Sequence, residues 1–464
     1  MYLCLNSYIF IRCIDKKLAI TNSKDNFTLF GDYSSYFFLK NLSHWPQHID
    51  DISKKIAESF TPRADIAEVK KDAIELFSDL NKNGILAIGS TAEECRKNIK
   101  KFSYSEIDVK NFKPAEDKIQ KAKKPEKPHA LLTSLAMEIT SMCNERCIHC
   151  YIPHETKNAV MSEHDFYRII NLAAENEAFS SVSFTGGECM SHPSFKKFVR
   201  YVKGKGFAAA VMSNLTLLDD EMIDIFADGG QTNVAVSLFS LNPAIHDKIT
   251  SLPGSWHKTM ENIKKLKKAD IPVSLSTQAM EINKDSFADL YAFAEDNGFR
   301  IACDWTISCR QNGDTDNLGL RIKDLSCYKD ICMVRLQHSS TLKEEICEAL
   351  QGSLKTAESP LCTAGKNKLY VCANLDVQAC PGWDMPVGNL KKESLSDIWE
   401  KSEKLKQVRA ATLGSFPKCV QCKNNVFCFP CMSFAYKECK KDGYFEMPEY
   451  FCKIQDIIRE TAQE

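Results

Sequence analysis

From Leu131 to Gln311 the chain alternates six times between a short apolar run and an amphipathic stretch. Leu135–Ile139, Ser181–Phe184, Ala208–Met212, Val234–Leu238, Val273–Thr277 and Arg300–Trp305 read as strands. Ser162–Ala173, Ser194–Lys203 and Trp256–Lys268 are among the helices between them. Strands separated by helices pair in parallel, and right-handed crossovers place the helices on the outside. Six units predict an α/β fold, a partial (β/α)6 barrel over residues 131–311. Parallel barrels collect their chemistry at the C-terminal ends of the strands, so the loops there are the first place to look.

The flanks differ in character, and 464 residues exceed what one compact core holds. Residues 1–95 read as a winged-helix-like α+β domain. Strands are expected at Tyr8–Ile14, Lys17–Asn22 and Phe27–Gly31, helices at Tyr33–Leu42, Ile49–Phe60 and Ile66–Leu80, and a last strand at Ile85–Ile88. Asp65 is the expected cap of the third helix, and Gly84 its stop. Residues 96–130 form a Lys/Pro-rich linker, 312–355 a connector with some helix, and 356–464 a cysteine-rich domain.

A net charge of −1 gives no global attraction to nucleic acid or membrane. No run of about 18 apolar residues appears, and Met1–Ile14 lacks a clean apolar signal core. The 21 cysteines stand out, ten of them between Cys347 and Cys452. Without an export signal, a cytoplasmic location is expected, where clustered cysteines point to metal more than to disulfides.

Cys143, Cys147 and Cys150 follow closely after the first barrel strand at spacing x3, x2. Three thiolates in one loop can hold three corners of an iron–sulfur cubane and leave one iron open. A zinc site with His149 or His154 as the fourth ligand is the competing reading, but no second pair at finger spacing follows. Thr185-Gly186-Gly187-Glu188 lies after the second strand. Together these motifs resemble the radical S-adenosylmethionine (SAM) superfamily, with His149 where that family usually carries an aromatic. The resemblance implies a [4Fe-4S] cluster on Cys143, Cys147 and Cys150, whose open iron chelates SAM. One electron then cleaves the cofactor to a 5′-deoxyadenosyl radical that abstracts hydrogen from an unactivated carbon. It further implies cofactor contacts from Gly186, Gly187, Glu188, Ser213, Asn214, Ser237 and His149. The glycines suit close approach to the cofactor's methionine part, and Glu188 would face its ammonium. No acid or base is assigned; Asp304 and Arg310 lie near the sixth strand's end.

In the C-terminal segment, Cys362 and Cys380 flank a hairpin-like stretch, and Cys419-x2-Cys422-x5-Cys428-x2-Cys431 follows, with Cys439 and Cys452 later. This order resembles the SPASM domain, which binds two auxiliary [4Fe-4S] clusters. The resemblance assigns Cys419, Cys422, Cys428 and Cys452 to one, with Cys439 as the alternative last ligand. It assigns Cys362, Cys380 and Cys431 to the other. The chain departs from the pattern in having two residues between Cys428 and Cys431, and Leu375 where a turn glycine is usual. The fourth ligand of the latter cluster is open among Cys372, Cys347 and an unfilled position that could take a substrate thiolate.

The N-terminal domain is similar to a PqqD-like recognition element, a family that binds the leader of a ribosomally made precursor peptide by strand addition. The expectation is a cytoplasmic radical SAM/SPASM maturase of such a peptide, supplied with electrons by a flavodoxin or ferredoxin. Its product would be a thioether or carbon–carbon crosslink, the thioether slightly favoured. A formylglycine-generating maturase is the alternative enzyme. A zinc-stabilised binding protein is the alternative of another class, although Asp65–Leu80 is too acidic to read DNA.

Overall fold

The computed structural model describes residues 1–100 and 131–464, apart from 8, 15–16, 23–26, 32, 177–178, 229–231, 339, 384 and 442–443. Most of the expected linker lies outside these residues. Strands β1 (Tyr2–Leu5), β2 (Ile9–Ile14), β3 (Lys17–Asn22), β4 (Phe27–Gly31), β5 (Gln47–His48) and β6 (Leu86–Gly89) build two small antiparallel sheets. Their orders are β5-β1-β6 and β2-β3-β4. Helices Ile49–Glu58 and Ile66–Lys82 bury Ile52, Ile56, Ala73 and Phe77 in one core with Leu3 and Leu86. Asp65 caps the second of these, its side chain accepting from the N–H groups of Ala67 and Glu68.

The sequence reading missed β1, which is only four residues long and pairs across more than 80 positions, Tyr2 with Gly89. The domain also runs past the expected boundary at residue 95. Helix Ala92–Lys97 continues it, and Lys100 closes onto Asn6 and Ser7, its N–H donating to Asn6 Oδ1 at 2.8 Å and its carbonyl accepting from Ser7.

The six barrel strands are β7 (Ser134–Thr140), β8 (Ser181–Gly186), β9 (Ala208–Ser213), β10 (Thr232–Ser237), β11 (Val273–Gln278) and β12 (Arg300–Asp304). All pair in parallel in sequential order. Their outward residues, such as Val182, Phe184, Val211 and Val236, are fully buried against helices Glu163–Ala174 and Phe195–Gly204 and their successors. Phe166 stacks on Phe198 at 3.9 Å between centroids in this layer. Truncating such a ring to alanine typically costs about 3–5 kcal/mol.

The cysteine-rich domain joins the same sheet. β13 (Lys368–Val371) pairs in parallel with β7, and β14 (Asp376–Gln378) and β15 (Gly388–Asn389) continue it antiparallel, giving nine strands. The β13–β14 turn is closed by Leu375 at φ 74°, so a leucine takes the left-handed conformation usual for glycine. The connector contributes helices Cys327–Gln337 and Ser340–Gln351, which share a core with the last helix, Glu449–Gln463. Among the described residues no helix is long and apolar enough to cross a membrane.

Candidate cluster and cofactor site

The loop after β7 carries Cys143, Cys147 and Cys150, and four neighbouring segments hold it. Arg146 N–H donates to Thr250 O at 3.0 Å and Ile148 N–H to Ile249 O at 2.9 Å, docking the loop on the end of helix Pro243–Thr250. Arg310 donates Nη1 to Cys150 O at 2.6 Å and grips Asp316 through Nε and Nη2 at 2.5 and 2.9 Å. Lys157 Nζ stands 3.2 Å from Cys150 Sγ. Asn144 donates to Thr216 Oγ1 at 2.8 Å and accepts from Asn214 Nδ2 at 2.9 Å, which ties the loop to the end of β9.

The two glycines meet this loop rather than open space. A Cβ on Gly186, at φ 128°, would lie 2.0 Å from Thr140 O, and one on Gly187 would lie 2.2 Å from Met142 O. Backbone against backbone leaves no room to yield, so any side chain here would push the cysteine loop away. Gly187 N–H and Glu188 N–H then donate to Thr140 O and Met142 O at 2.9 and 2.8 Å. Close approach is indeed the reason for the glycines, but the partner that demands it in this structure is the chain itself.

Glu188 is fully buried and its carboxylate is a strap between β8 and β9. It accepts from Met190 N–H at 2.9 Å, Ser213 Oγ at 2.8 Å and Asn214 N–H at 2.8 Å. Burial pushes its pKa up, and those three donors pull it back. Ser213 and Asn214, both buried, thus serve this network, while Ser237 sits half-buried at the end of β10. His149 packs edge-on against Phe239 at 4.7 Å, and burial lowers its pKa to about 4, so it is neutral at ordinary pH. Among the described residues, buried His149 Nδ1 has no hydrogen-bond partner.

The C-terminal cysteines form two groups. Cys419, Cys422, Cys428 and Cys452 line one cavity of about 30 Å³ together with Pro430, Met447 and Phe451. Cys452 lines this cavity and Cys439 does not, although Cys439 lies near enough to act on the Cys452 thiol. Cys362 and Cys380 border a cavity of about 290 Å³ against Tyr370 and Lys368. Exposed Cys431 lies near enough to Cys380 to act on its thiol, whose pKa burial pushes up to about 11. Neither Cys372 nor Cys347 is among the residues that line this cavity. Cys372 is buried in a small cluster with Ala136 and Tyr370, two residues that do line the cavity, so it lies beside the cavity wall. Cys347 donates to Ala462 O at 3.3 Å in the last helix.

Residues 137–295 match the family model described as the radical SAM superfamily, and residues 362–424 match the SPASM model, described as an iron–sulfur cluster-binding domain. Radical SAM and SPASM domains are both present. Among curated relatives, the chain is 21% identical over 325 residues to an AdoMet-dependent heme synthase of Methanosarcina barkeri, covering 65% of this chain and 91% of that protein. It is 24% identical to the sporulation killing factor maturation protein SkfB of Bacillus subtilis, covering 57% and 64%. The S-adenosylmethionine-bound structure of Streptococcus suis SuiB superposes with a TM-score of 0.59 at 15% identity, covering 96% of this chain and 99% of that one.

A radical SAM domain implies a [4Fe-4S] cluster and SAM, and the SPASM domain binds auxiliary iron–sulfur clusters. The residues present fit these groups. Among the described residues no three or more His, Cys, Asp or Glu side chains converge at distances that would hold a single metal ion. Three thiols in one loop and four around one cavity are donor sets that an iron–sulfur cubane takes. Burial pushes Cys143 to about 11 and Cys428 to about 12, a cost that iron offsets by binding the thiolate. Around the radical SAM loop, sequence reasoning missed Asn144, Lys157 and Thr216, and it placed Arg310 without a role. Arg310 acts on Cys150 across 160 positions, a link that carries no local signal.

Proposed function

We propose that this chain modifies a ribosomally made precursor peptide, forming a crosslink by radical hydrogen abstraction, a thioether ahead of a carbon–carbon bond. The observation that carries this reading is the uncovered inner face of the barrel. Positions that a closed barrel fills with bulky branched side chains are here small or polar and partly open: Ala210, Ala235, Ser274, Ser276, Ala302 and Asp304. This face runs from the cysteine loop on β7 to β12, and β13 extends the same sheet to the cavity of Cys362 and Cys380. A flexible peptide would find room between the two cysteine sites.

Gly186, Gly187, Glu188, Ser213, Asn214, Ser237 and His149 would seat the cofactor, and Cys143, Cys147 and Cys150 the reducing cluster. When bound, these groups supply a radical able to remove hydrogen from an unactivated carbon. The protein's own work is to hold that carbon close and keep water out. The N-terminal domain would bind the leader along a sheet edge, as PqqD-like elements do. The precursor-bound SuiB structure supports this, since its likeness covers 97% of the chain and so takes in that domain. The heme synthase likeness covers 65%. A flavodoxin or ferredoxin of a cytoplasmic host would supply the electrons.

The test is anaerobic reconstitution with SAM and reductant on synthetic peptides translated from short reading frames that neighbour this chain's gene. The expected result is 5′-deoxyadenosine together with a peptide lighter by two hydrogens. An unaltered peptide, an epimerised one, or a colourless protein holding stoichiometric zinc refutes the reading.

A further inference from the structure

Glu138 lies on β7, five residues ahead of Cys143, and has no part in the site described above. It is only partly buried and shares its strand face with Ala136, which borders the Cys362–Cys380 cavity. A Cβ on Gly186 would come 3.0 Å from Glu138 Cγ, so its stem runs beside the glycine loop. Its Oε2 accepts from Tyr370 Oη at 2.8 Å, and its carboxylate also accepts from the Ala373 N–H. Tyr370 in turn lines the Cys362–Cys380 cavity. From the other side Tyr151, the residue after Cys150, is hydrogen-bonded to Tyr370. Glu138 therefore stands between the reducing-cluster loop and the first auxiliary cavity.

The titratable groups that face it are Tyr370 and Cys372 from β13 and its turn, and Tyr151 from the cysteine loop. None is cationic. Lys368 on β13 reaches toward Ser183 at 3.5 Å, and Lys437 stands over the Tyr151 ring at 5.9 Å. Among the described residues no cation pairs with this carboxyl, so only the Tyr370 and Ala373 hydrogen bonds offset the cost of taking its charge out of water. Such groups gather where protons move.

We propose that Glu138 accepts the proton released when the peptide crosslink forms, with Tyr370 as the positioning residue that aims its carboxylate. This rests on the function proposed above. Forming either crosslink removes two hydrogens from the peptide. One leaves as the abstracted atom. The second is lost as the new bond to carbon forms and an S–H or C–H bond breaks. Its proton goes to Glu138, and an auxiliary cluster, when bound, would take up the electron. Burial holds the Glu138 pKa above the ordinary carboxylate value, which strengthens it as a base near working pH, while the Tyr370 hydroxyl opposes that rise.

The experiment compares wild type, Glu138→Gln and Tyr370→Phe, each fully loaded with iron and SAM, on the synthetic gene-neighbour peptide. 5′-Deoxyadenosine and crosslinked peptide are counted separately across pH. Glu138→Gln is expected to lower crosslinking about 10²–10⁴-fold, the usual worth of a general base, while deoxyadenosine still forms. The base must be ionised to act, so wild-type crosslinking falls as pH drops through the Glu138 pKa. Tyr370→Phe removes a donor to the carboxylate, and that acid limb moves to higher pH. Crosslinking by Glu138→Gln within a few-fold of wild type overturns the assignment, as does an acid limb that Tyr370→Phe leaves in place. Loss of deoxyadenosine formation in parallel with crosslinking also overturns it, since that marks a structural role. A wild-type enzyme that never crosslinks the peptide instead refutes the function proposed above and the assignment with it.

Discussion

The two auxiliary cysteine sets sit in one domain and are built in opposite ways. Cys419, Cys422, Cys428 and Cys452 close round about 30 Å³ behind Pro430, Met447 and Phe451. Cys362 and Cys380 border about 290 Å³, face Tyr370 and Lys368, and have exposed Cys431 beside them. Four thiols around one small cavity can satisfy every iron of a cubane. The wide cavity has neither Cys372 nor Cys347 in its lining, although Cys372 packs beside its wall. The first arrangement suits storing or passing an electron, the second suits meeting a ligand.

The largest expected effect breaks the closed site. Cys428→Ala should lower iron from about twelve to about eight per chain, and with it the melting temperature, because a buried ligand and its packing are lost together. Cys362→Ala should remove the same iron with little change in melting temperature, since Cys362 is exposed. Equal thermal losses in the two variants, read by calorimetry, would erase the distinction between the sites. A smaller effect sharpens the wide site: Cys372→Ser should leave iron content unchanged, and loss of about four irons would make Cys372 a ligand after all. A small thiol added to the reduced enzyme should perturb the electron paramagnetic resonance of one auxiliary cluster and not of the other. The smallest effect concerns the link from Arg310 to the reducing-cluster loop. Arg310 holds the Asp316 carboxyl below its ordinary value. The pair therefore keeps its grip above about pH 4 and loses it only as pH falls through that lowered value. Asp316→Asn should bring to neutral pH the slight loss of thermal stability that wild type shows only in acid.

Much of this was legible along the chain. The six barrel strands fall within two residues of their expected ends, because all but the last bury an apolar run against neighbouring helices. The Cys143–Cys150 spacing and the Gly186-Gly187 pair were likewise local, held in short segments that must adopt one shape. Less legible were contacts between distant positions. β1 pairs with residues 86–89, Arg310 reaches Cys150, and Tyr370 reaches Glu138 across 232 positions. Nothing in the local pattern marks such pairs.

By itself the sequence determined that a cysteine loop and a glycine turn meet at the end of a parallel sheet, and that a second set of cysteines follows. Periodicity and thiol spacing are properties of neighbouring residues, so they survive without coordinates. Only the tertiary structure decided that β13 extends the barrel sheet beside β7, that Cys452 lines one cysteine cavity, and that Cys372 packs beside the other. Those outcomes depend on which strand edge is free and which way a side chain faces once paired. That is fixed by packing the whole sheet, not by any one segment.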